Sequence, residues 1–291
     1  MVGKIVKGVG GLYDVSGENG IYHCRARGIF RNKKEKPLVG DIVDYFVTSE
    51  TDREGSITAI HERKNRLIRP ETANVDLILL MFSIRDPEPN FDMLNRYLIM
   101  MKDAEIETAL AVTKMDLAGG NDALRIREAF KNTGMEIFFL SVKEGSGIDE
   151  LKAFLPGKTT ALAGPSGVGK SSFLNRLLDR EAMETGTLSE KIRRGKNTTR
   201  HSEIFLLDEK TFIFDTPGFT SVDITYLNEE NLQLYFPEFE PFIGGCYYNS
   251  CRHVKEPGCR VKEAVEDGSI SRFRYESYVK IYEELKQIRR Y

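Results

Sequence analysis

The chain has 291 residues, of which 41% are apolar and 30% are charged, and its formal net charge at pH 7 is −2. This length allows about two domains with room for a third small one, in an ordinary globular composition. The balanced charge excludes a strongly basic nucleic-acid binder, so any such partner has to be met by local patches. The longest apolar run, residues 75–84, is too short to span a bilayer, and we expect no secretory signal at the N-terminus.

Residues 1–68 predict a small β-barrel. Residues 20–30 alternate, so that Tyr22 and Cys24 share one face while basic side chains occupy the other. Several such strands, separated by glycine and proline turns, are typical of a barrel. The region holds 12 Lys/Arg against 9 Asp/Glu, and six of the basic residues fall within 25–36. This basic patch is either a solvated hairpin or a face that holds a nucleic-acid backbone.

Residues 69–225 predict a mostly parallel α/β sheet. Apolar strands alternate with amphipathic helices from VDLILLMFSI onward, which is the βαβ pattern of a sheet covered on both faces. Residues 183–201 interrupt this pattern with a polar, basic stretch and predict a mobile loop. Residues 226–291 are helical and aromatic. The chain therefore divides into three predicted domains, at 1–68, 69–225 and 226–291.

The segment GPSGVGKSS, residues 164–172, matches the G-x-x-x-x-G-K-[ST] phosphate loop between a short strand and a helix. Its glycines let successive backbone N–H groups point at phosphates, at the positive end of the following helix. We expect Lys170 to reach the β- and γ-phosphates and Ser171 to bind Mg²⁺. The predicted phosphate contacts are Gly164, Pro165, Ser166, Gly167, Val168, Gly169, Lys170, Ser171 and Ser172.

A later strand, TFIF, ends in the segment Asp215-Thr-Pro-Gly218. A carboxylate at this position holds the magnesium shell through water, and a glycine N–H meets the γ-phosphate, so the segment senses hydrolysis. Asp215 and Gly218 are therefore predicted nucleotide contacts.

Two further segments predict the base. Guanine presents two donors on one edge, which a carboxylate accepts together, whereas adenine has neither. TKMD supplies such a carboxylate in Asp116 after a strand, with Lys114 over the base plane and Thr113 before it. FFLSVK, residues 138–143, is a predicted strand whose last three backbone N–H groups are expected to meet the guanine carbonyl; they belong to Ser141, Val142 and Lys143. Together with the phosphate loop, these segments favour a GTPase over an ATPase or a kinase.

Residues 246–259 carry the pattern Cys-x4-Cys-x-His-x5-Cys among turn-forming residues. In a chain without an export signal, this pattern indicates a metal site in a reducing cytosol rather than disulfides. Three thiolates and one imidazole make a closed tetrahedral Zn²⁺ site, which would also stabilise the fold of this region. The alternative is three buried cysteines beside an unrelated histidine. The predicted ligands are Cys246, Cys251, His253 and Cys259, whereas Cys24 is a predicted core residue.

The base-reading segments precede the phosphate-reading ones, which is the reverse of the usual order and the result expected from a circular permutation of the same sheet. With the barrel before this core and the cysteine cluster after it, the chain resembles, over nearly its whole length, the circularly permuted, small-ribosomal-subunit-dependent GTPases called RsgA or YjeQ. The resemblance implies an OB-type barrel, a permuted GTPase core and a C-terminal helical zinc domain. It also implies a role in late maturation of the small subunit, with GTP hydrolysis stimulated by that subunit.

The resemblance also assigns a switch element. The family's paired threonines match Thr198 and Thr199, and we expect Thr199 to complete the Mg²⁺ site with Ser171 and, through water, Asp215. We expect Thr199 of this element and Lys170 of the phosphate loop to be catalytic groups. The implied partners are GTP or GDP, the small subunit and its rRNA, for a monomeric cytoplasmic protein without membrane contact.

The group that positions the attacking water has no clear candidate in the pattern. Phe219 stands where many GTPases have a glutamine, and Asn197 stands where relatives in the resembled family often have a histidine. His201 is the substitute that the sequence offers as a catalytic residue, and a loop histidine on phosphate or solvent is the alternative. We expect slow intrinsic hydrolysis that rises when the ribosome orders residues 183–201. An RNA-binding adapter with little catalysis and a permuted GTPase acting on the large subunit remain alternatives.

Overall fold

The structure, a computed structural model, describes residues 1–26, 30, 36–68, 71–185, 203–208, 210–215 and 222–288. Within these ranges no helix is both long enough and apolar enough to cross a membrane. The basic patch at 25–36 and the predicted loop at 183–201 lie largely outside the described part of the chain.

Five N-terminal strands close into a barrel, as the alternating pattern predicts. They are β1 (Val2–Val9), β2 (Leu12–Gly17), β3 (Gly20–Ala26), β4 (Ile42–Ser49) and β5 (Glu54–Ile60). The strands pair in the order β1-β2-β3-β5-β4, and β4 pairs back with β1, so the barrel has no free edge. Tyr22, Cys24 and Tyr45 fill its interior. Cys24 is fully buried and is a core residue, as predicted, and its burial raises the pKa of the thiol to about 11.

A short antiparallel pair, β6 (Arg66–Ile68) and β7 (Glu71–Ala73), leads from the barrel to a six-stranded sheet. The strands of this sheet are β8 (Leu77–Ser83), β9 (Glu107–Thr113), β10 (Ile137–Phe139), β11 (Thr159–Ala163), β12 (Glu203–Leu206) and β13 (Phe212–Asp215). Their order is β10-β9-β8-β11-β13-β12, in which the first five run parallel and β12 runs antiparallel to β13. All seven residues of β8 are buried, because a parallel strand covered on both faces needs a continuous apolar run. The predicted parallel sheet is confirmed, and β12 is an addition to it.

Four helices cover the two faces of the sheet. They are α1 (Phe91–Asp103), α2 (Asp122–Ala129), α3 (Ile148–Phe154) and α4 (Lys170–Thr185). Alternate residues of β8 point to opposite faces, so Leu80 packs in the apolar cluster of α1 and α2, whereas Leu79 packs in that of α3 and α4. The last three residues of α4, 183–185, are helical and are not part of the predicted loop.

The C-terminal region is helical and has its own core, as predicted. It contains 3-10 helices at Glu229–Tyr235 and Pro237–Phe242, followed by α5 (Arg260–Glu266) and α6 (Arg272–Gln287). Tyr278 lies at the centre of this core, with its ring 4.9 Å from that of Phe239 and 5.2 Å from that of Phe236. Ile99 of α1 belongs to the same apolar cluster, so this helix of the central sheet packs against the C-terminal region.

One backbone bridge joins the barrel to the central sheet. Lys7 of β1 pairs antiparallel with Glu203 of β12, so all eleven of these strands form one continuous sheet. The barrel is thereby fixed at the β12 edge, on the opposite side of the sheet from β10.

Candidate nucleotide site and metal centre

The phosphate loop connects β11 to α4 and has the backbone geometry that its glycines predict. Gly164, Gly167 and Gly169 have φ values of +131°, +80° and +98°, which side chains rarely adopt. A Cβ atom on Gly164 would also collide with the carbonyl oxygen of Met81 in β8, so this position requires glycine. The loop therefore wraps closely over the carboxyl end of the sheet and leads into the N-terminus of a 16-residue helix, which is an anion-binding geometry.

Lys170 is the first residue of α4 and reaches back over this loop. Its Nζ atom donates hydrogen bonds to the carbonyl oxygens of Gly164, at 2.8 Å, and Pro165, at 2.7 Å. Its ammonium group is thus held at the concave side of the loop, where it can meet a phosphate oxygen.

The segment TKMD follows β9 and touches the phosphate loop directly. The hydroxyl of Thr113 is buried and lies 2.6 Å from the carbonyl oxygen of Val168, although the two residues are 55 positions apart in sequence. Lys114 has a left-handed backbone, with φ of +57°, and its Nζ atom donates to the carbonyl oxygen of Asp86. The structure therefore brings the predicted base-reading and phosphate-reading segments together.

Asp116 is held as an ionised acceptor. Ser141 Oγ donates to Asp116 Oδ1 at 2.8 Å, and Lys143 Nζ lies 3.8 Å from Asp116 Oδ2. The bond from Ser141 and, to a lesser degree, the charge of Lys143 lower the pKa of the Asp116 carboxyl. An ionised carboxylate with its remaining lone pairs facing a cavity is the group that accepts two donors from one edge of a base.

The segment after β10 differs from the predicted strand. The strand ends at Phe139, and Ser141 instead forms an isolated bridge with Ser146, to whose carbonyl oxygen it donates its N–H at 3.1 Å. The Ser141 N–H is therefore committed within the protein, and the serine contributes its hydroxyl to Asp116. Val142 and Lys143 line the cavity wall, and the contact of their backbone N–H groups with the base stays a prediction.

A cavity of about 340 Å³ joins these pieces. Its volume lies in the range of roughly 300–1,000 Å³ that small-molecule sites have. It is lined by Thr113, Lys114, Asp116, Val142, Lys143, Val168, Gly169 and Ser172. The lining thus combines the acceptor carboxylate with the N-terminal end of α4, as a nucleotide site requires.

The connection between β8 and α1 is a part of this site that sequence reasoning missed. Ser83 Oγ donates to the carbonyl oxygen of Pro87 at 2.7 Å, and Pro87 lies beside Gly167 of the phosphate loop. Asp86 accepts from Lys114, as described above. The clustered prolines of this connection gave no signal of a contact, because its partners are distant in sequence.

The other predicted phosphate-sensing residues are described only in part. Asp215 ends β13, and its backbone pairs with Leu162 of β11, two residues before the phosphate loop. Asp215 therefore lies at the same carboxyl edge as that loop. The predicted residues Thr198, Thr199, His201 and Gly218 lie outside the described residues.

The four predicted metal ligands come together in the C-terminal region, with all candidate ligand atoms within 4.8 Å of one another. Cys246 Sγ lies 3.9 Å from Cys259 Sγ, and His253 Nδ1 lies 3.6 Å and 3.4 Å from these two sulfur atoms. A tetrahedral ion with bonds of about 2.3 Å to sulfur and about 2.0 Å to nitrogen has ligand–ligand edges of roughly 3.8 Å and 3.5 Å. Cys246, Cys251, His253 and Cys259 therefore fit one metal ion.

Surrounding groups orient these ligands. His253 Nε2 lies 2.7 Å from Gln233 Oε1, which leaves Nδ1 as the nitrogen that faces the sulfur atoms. Burial lowers the pKa of the His253 imidazole, so the ring is neutral, as a ligand must be. The backbone N–H groups of His253 and Arg260 each donate to a cysteine sulfur at 3.4 Å. The cluster is thus a built coordination site rather than a chance grouping of cysteines.

Comparison with known proteins decides the family. The family model described as RsgA GTPase matches residues 60–225, and the one described as RsgA N-terminal domain matches residues 2–57. The chain belongs to the RsgA GTPase family. The resemblance inferred from the order of its motifs is thereby confirmed.

RsgA relatives match the chain over its full length. The "Small ribosomal subunit biogenesis GTPase RsgA" of Agathobacter rectalis is 44% identical over 302 residues and covers 100% of both chains. The protein of that description from Clostridium perfringens is 45% identical over 285 residues, or 98% of each chain.

Solved structures of RsgA-like proteins share the fold. YjeQ from Thermotoga maritima superposes with a TM-score of 0.83 at 36% identity over 99% of each chain. YloQ, described as a circularly permuted GTPase, gives a TM-score of 0.78 at 37% identity over 100% of this chain and 96% of its own. The permutation is visible in the present RsgA-family chain, because β9 with TKMD precedes β11 and the phosphate loop.

Proposed function

We propose that this protein is a GTPase that binds the small ribosomal subunit and its rRNA and assists late maturation of that subunit. The main support for this proposal is the cavity that is lined both by Asp116, whose carboxylate is held by Ser141, and by residues of the phosphate loop. This arrangement suits a nucleotide whose base presents two donors, which is guanine. The names and full-length similarity of the RsgA relatives support the small subunit as the partner.

Different residues of the site have different roles in GTP binding and hydrolysis. Asp116 and Lys114 select and hold the base, while Lys170 and the loop N–H groups balance the charge that develops on the phosphates. Ser171, Thr199 and, through water, Asp215 would hold Mg²⁺. Bound Mg²⁺ supplies further neutralisation of the phosphate charge.

The water-positioning step depends on the partner in this proposal. Phe219 has no group that orients water, so intrinsic turnover is slow, and contact with the subunit raises it by ordering the switch residues. His201 is the proposed catalytic histidine of that ordered state.

We propose Zn²⁺ as the metal of the Cys₃His cluster, since three thiolates and one imidazole at tetrahedral separations are its preferred set. We also propose the domain division at 1–68, 69–225 and 226–291 and a monomer that acts in the cytoplasm, where free thiols and ribosomal subunits are found.

Substitution of Asp116 tests the nucleotide assignment. Asp116→Asn exchanges an ionised acceptor for an amide, so we expect GTP affinity to fall roughly 100-fold and xanthosine triphosphate to bind better than GTP, since two charge-assisted bonds are lost. Glu150→Gln on α3 is the matched control, because it removes the same charge from an exposed site that does not line the cavity. Unchanged GTP affinity in Asp116→Asn would contradict the assignment.

GTP hydrolysis with isolated ribosomal subunits tests the partner. We expect small subunits to accelerate hydrolysis and large subunits to leave it unchanged. Stimulation by large subunits alone would show that the protein acts on the large subunit. GTP binding without stimulation by either subunit would favour the RNA-binding adapter.

A further inference from the structure

The loop that carries the first metal ligand displays two neighbouring tyrosines to solvent. Tyr247 is 80% exposed and Tyr248 is 45% exposed, and their rings form an edge-to-face pair with centroids 4.9 Å apart. Among the described residues, neither hydroxyl has a hydrogen-bond partner. A single exposed apolar residue is ordinary on a protein surface, but a paired aromatic platform on one loop is a feature of interaction sites.

Tyrosines elsewhere in this region have a different environment. Tyr275 and Tyr278 pack beneath the same metal loop, and their hydroxyls donate to the carbonyl oxygens of His253 and Arg252 at 2.8 Å and 2.7 Å. These two tyrosines therefore belong to the core, and their hydroxyl groups are hydrogen-bonded within it. Tyr247 and Tyr248 add nothing to that core, so packing does not explain them.

The platform is held rigidly. Tyr247 N–H donates to the carbonyl oxygen of Gly258 at 3.0 Å, which ties the first half of the metal loop to the second. Gly258 has a φ of +61°, and a Cβ atom there would lie 3.1 Å from Tyr247 Cβ, so the backbone passes directly under the tyrosine. Both ends of this tie lie next to metal ligands, Cys246 and Cys259. A backbone fixed in this way loses little conformational freedom when the side chain that it carries binds a partner.

The loop that carries the tyrosine pair also presents an exposed lysine, Lys255. Residues 244–262 contain four basic residues and one acidic residue, although the whole chain has a net charge of −2. The acidic residue, Glu256, turns inward, because its carboxylate accepts the N–H groups of Arg252, Val254 and Lys255 at 3.0–3.1 Å. The Lys255 side chain remains exposed on the same loop, whereas Arg252 and Arg260 are paired with Glu230 and Glu263.

We propose that the exposed Tyr247 ring, with Tyr248 packed edge-to-face beside it, forms a stacking platform for an unpaired base of single-stranded RNA, with Lys255 near the adjoining phosphates. Exposed aromatic faces beside basic side chains are the means by which proteins hold unpaired nucleotides, whereas a paired helix hides its base faces. This assignment rests on the proposed function in that it takes rRNA as the partner. It adds which part of the chain contacts the RNA and which form of RNA is bound.

Binding of labelled single-stranded RNA of mixed sequence, compared with a duplex of the same composition, tests the platform in the full-length protein. Stacking on an aromatic ring changes the affinity by roughly 5- to 100-fold per base. We therefore expect Tyr247→Ala with Tyr248→Ala to weaken binding of the single strand by that factor and to leave duplex binding within about twofold. Leu234→Ala is the matched control, because Leu234 is also exposed, at 58%, but lies on the 3-10 helix of residues 229–235.

A conservative variant separates stacking from folding. The chain contains no tryptophan, so Tyr247→Trp introduces a single indole that reports on its own contact. We expect this variant to keep the affinity for single-stranded RNA and the metal content of the wild type, and its fluorescence to be quenched by the single strand and not by the duplex.

Three results would overturn the platform: no binding of single-stranded RNA by the wild type, equal affinity in the double alanine variant, or an unquenched indole. A double alanine variant that binds single-stranded RNA normally but loses intact small subunits would assign the pair to a ribosomal protein instead. The failure of the proposed function is distinct, because it is seen in the wild type as GTP hydrolysis that small subunits do not stimulate.

Discussion

The central GTPase sheet is joined to the barrel by a backbone bridge and a shared apolar cluster, whereas its junction with the C-terminal region also contains buried polar side chains. At the barrel, β1 continues the sheet through the bridge between Lys7 and Glu203. At the C-terminal region, α1 packs its Ile99 into the other core and supplies polar partners along its length. A backbone junction tolerates substitution, whereas a buried polar junction depends on every partner, so the two junctions differ in what can break them.

The polar junction is built around one arginine. Arg274 of α6 is 1% exposed, and its guanidinium donates to Glu238 Oε1 at 2.6 Å and to Asn95 Oδ1 of α1 at 2.5 Å. Asn95 Nδ2 in turn donates to Ser277 Oγ at 2.7 Å. At the end of α1, Asp103 accepts from the hydroxyls of two tyrosines in the C-terminal region. Every turn of α1 is thus committed to that region.

Metal removal should have the largest effect on stability, and it should affect only the C-terminal region. The metal supplies binding free energy on the order of 10 kcal/mol to the fold around it, so a chelator or Cys251→Ser should unfold α5 and α6 and leave the barrel intact. Hydrogen exchange along the full-length protein measures this difference. Cys24→Ala is the matched control, because this cysteine lies in the barrel core and should leave the metal content unchanged. Equal loss of protection in barrel and C-terminal region would refute the independence of the two junctions.

Arg274→Met should have the next largest effect. The substitution leaves the carboxylate of Glu238 buried and unpaired, which costs about 3–5 kcal/mol in the free energy of unfolding. Urea unfolding monitored by circular dichroism gives this value. The double variant Arg274→Met with Glu238→Leu should recover most of the loss, since it removes both charges. No recovery would show that packing on Phe236, rather than the ion pair, dominates.

Tyr235→Phe should cost about 1 kcal/mol, because it removes one hydrogen bond to Asp103 and leaves the ring in place. Burial, together with this bond, raises the pKa of Tyr235 to about 12. The hydroxyl therefore stabilises the fold fully below pH of about 10, and its contribution disappears as the pH rises through about 12. Wild type and variant should converge in stability over that interval. Tyr247→Phe is the control, because the Tyr247 side chain is exposed and its hydroxyl has no hydrogen-bond partner among the described residues, so the substitution should change the stability little.

Lys4→Met should have the smallest effect, within about 1 kcal/mol, because the backbone bridge does not depend on this side chain. Lys4 Nζ donates to Thr159 Oγ1 at 2.5 Å and lies 4.3 Å from the centre of the Phe212 ring. Burial lowers the pKa of Lys4, so its charge carries a cost in the folded state that fades as the pH rises toward 10.5. The stability of the variant relative to the wild type should therefore be higher at neutral pH than at alkaline pH. Thermal unfolding of both proteins over this pH range measures the difference. A loss of several kcal/mol would mean that the Lys4 side chain is a main part of the junction with the barrel.

Local patterns predicted the architecture because each pattern depends only on the environment of its own segment. The alternation around Cys24 and the unbroken apolar run of β8 define a barrel wall and a central parallel strand without reference to other segments. The same holds for the phosphate loop and the cysteine spacing, whose residue types leave few other uses.

Features that depend on distant partners were beyond prediction. Ser141 looks like a residue at the end of a strand, and its hydroxyl gains its role from an aspartate 25 positions earlier. Arg274 lies at a position that fits a packing face, but only the structure shows the buried carboxylate and amide that make an arginine possible there.

The bridge between β1 and β12 has a consequence for the order in which the protein is made. Lys7 leaves the ribosome almost two hundred residues before its partner Glu203, so the barrel closes on itself well before it can dock. The sheet meanwhile grows first from β8 toward β10 and then on the other side of β8, where β11 and β13 are added. The barrel therefore reaches its final place only after the phosphate loop has been synthesised, and its docking marks a nearly finished chain.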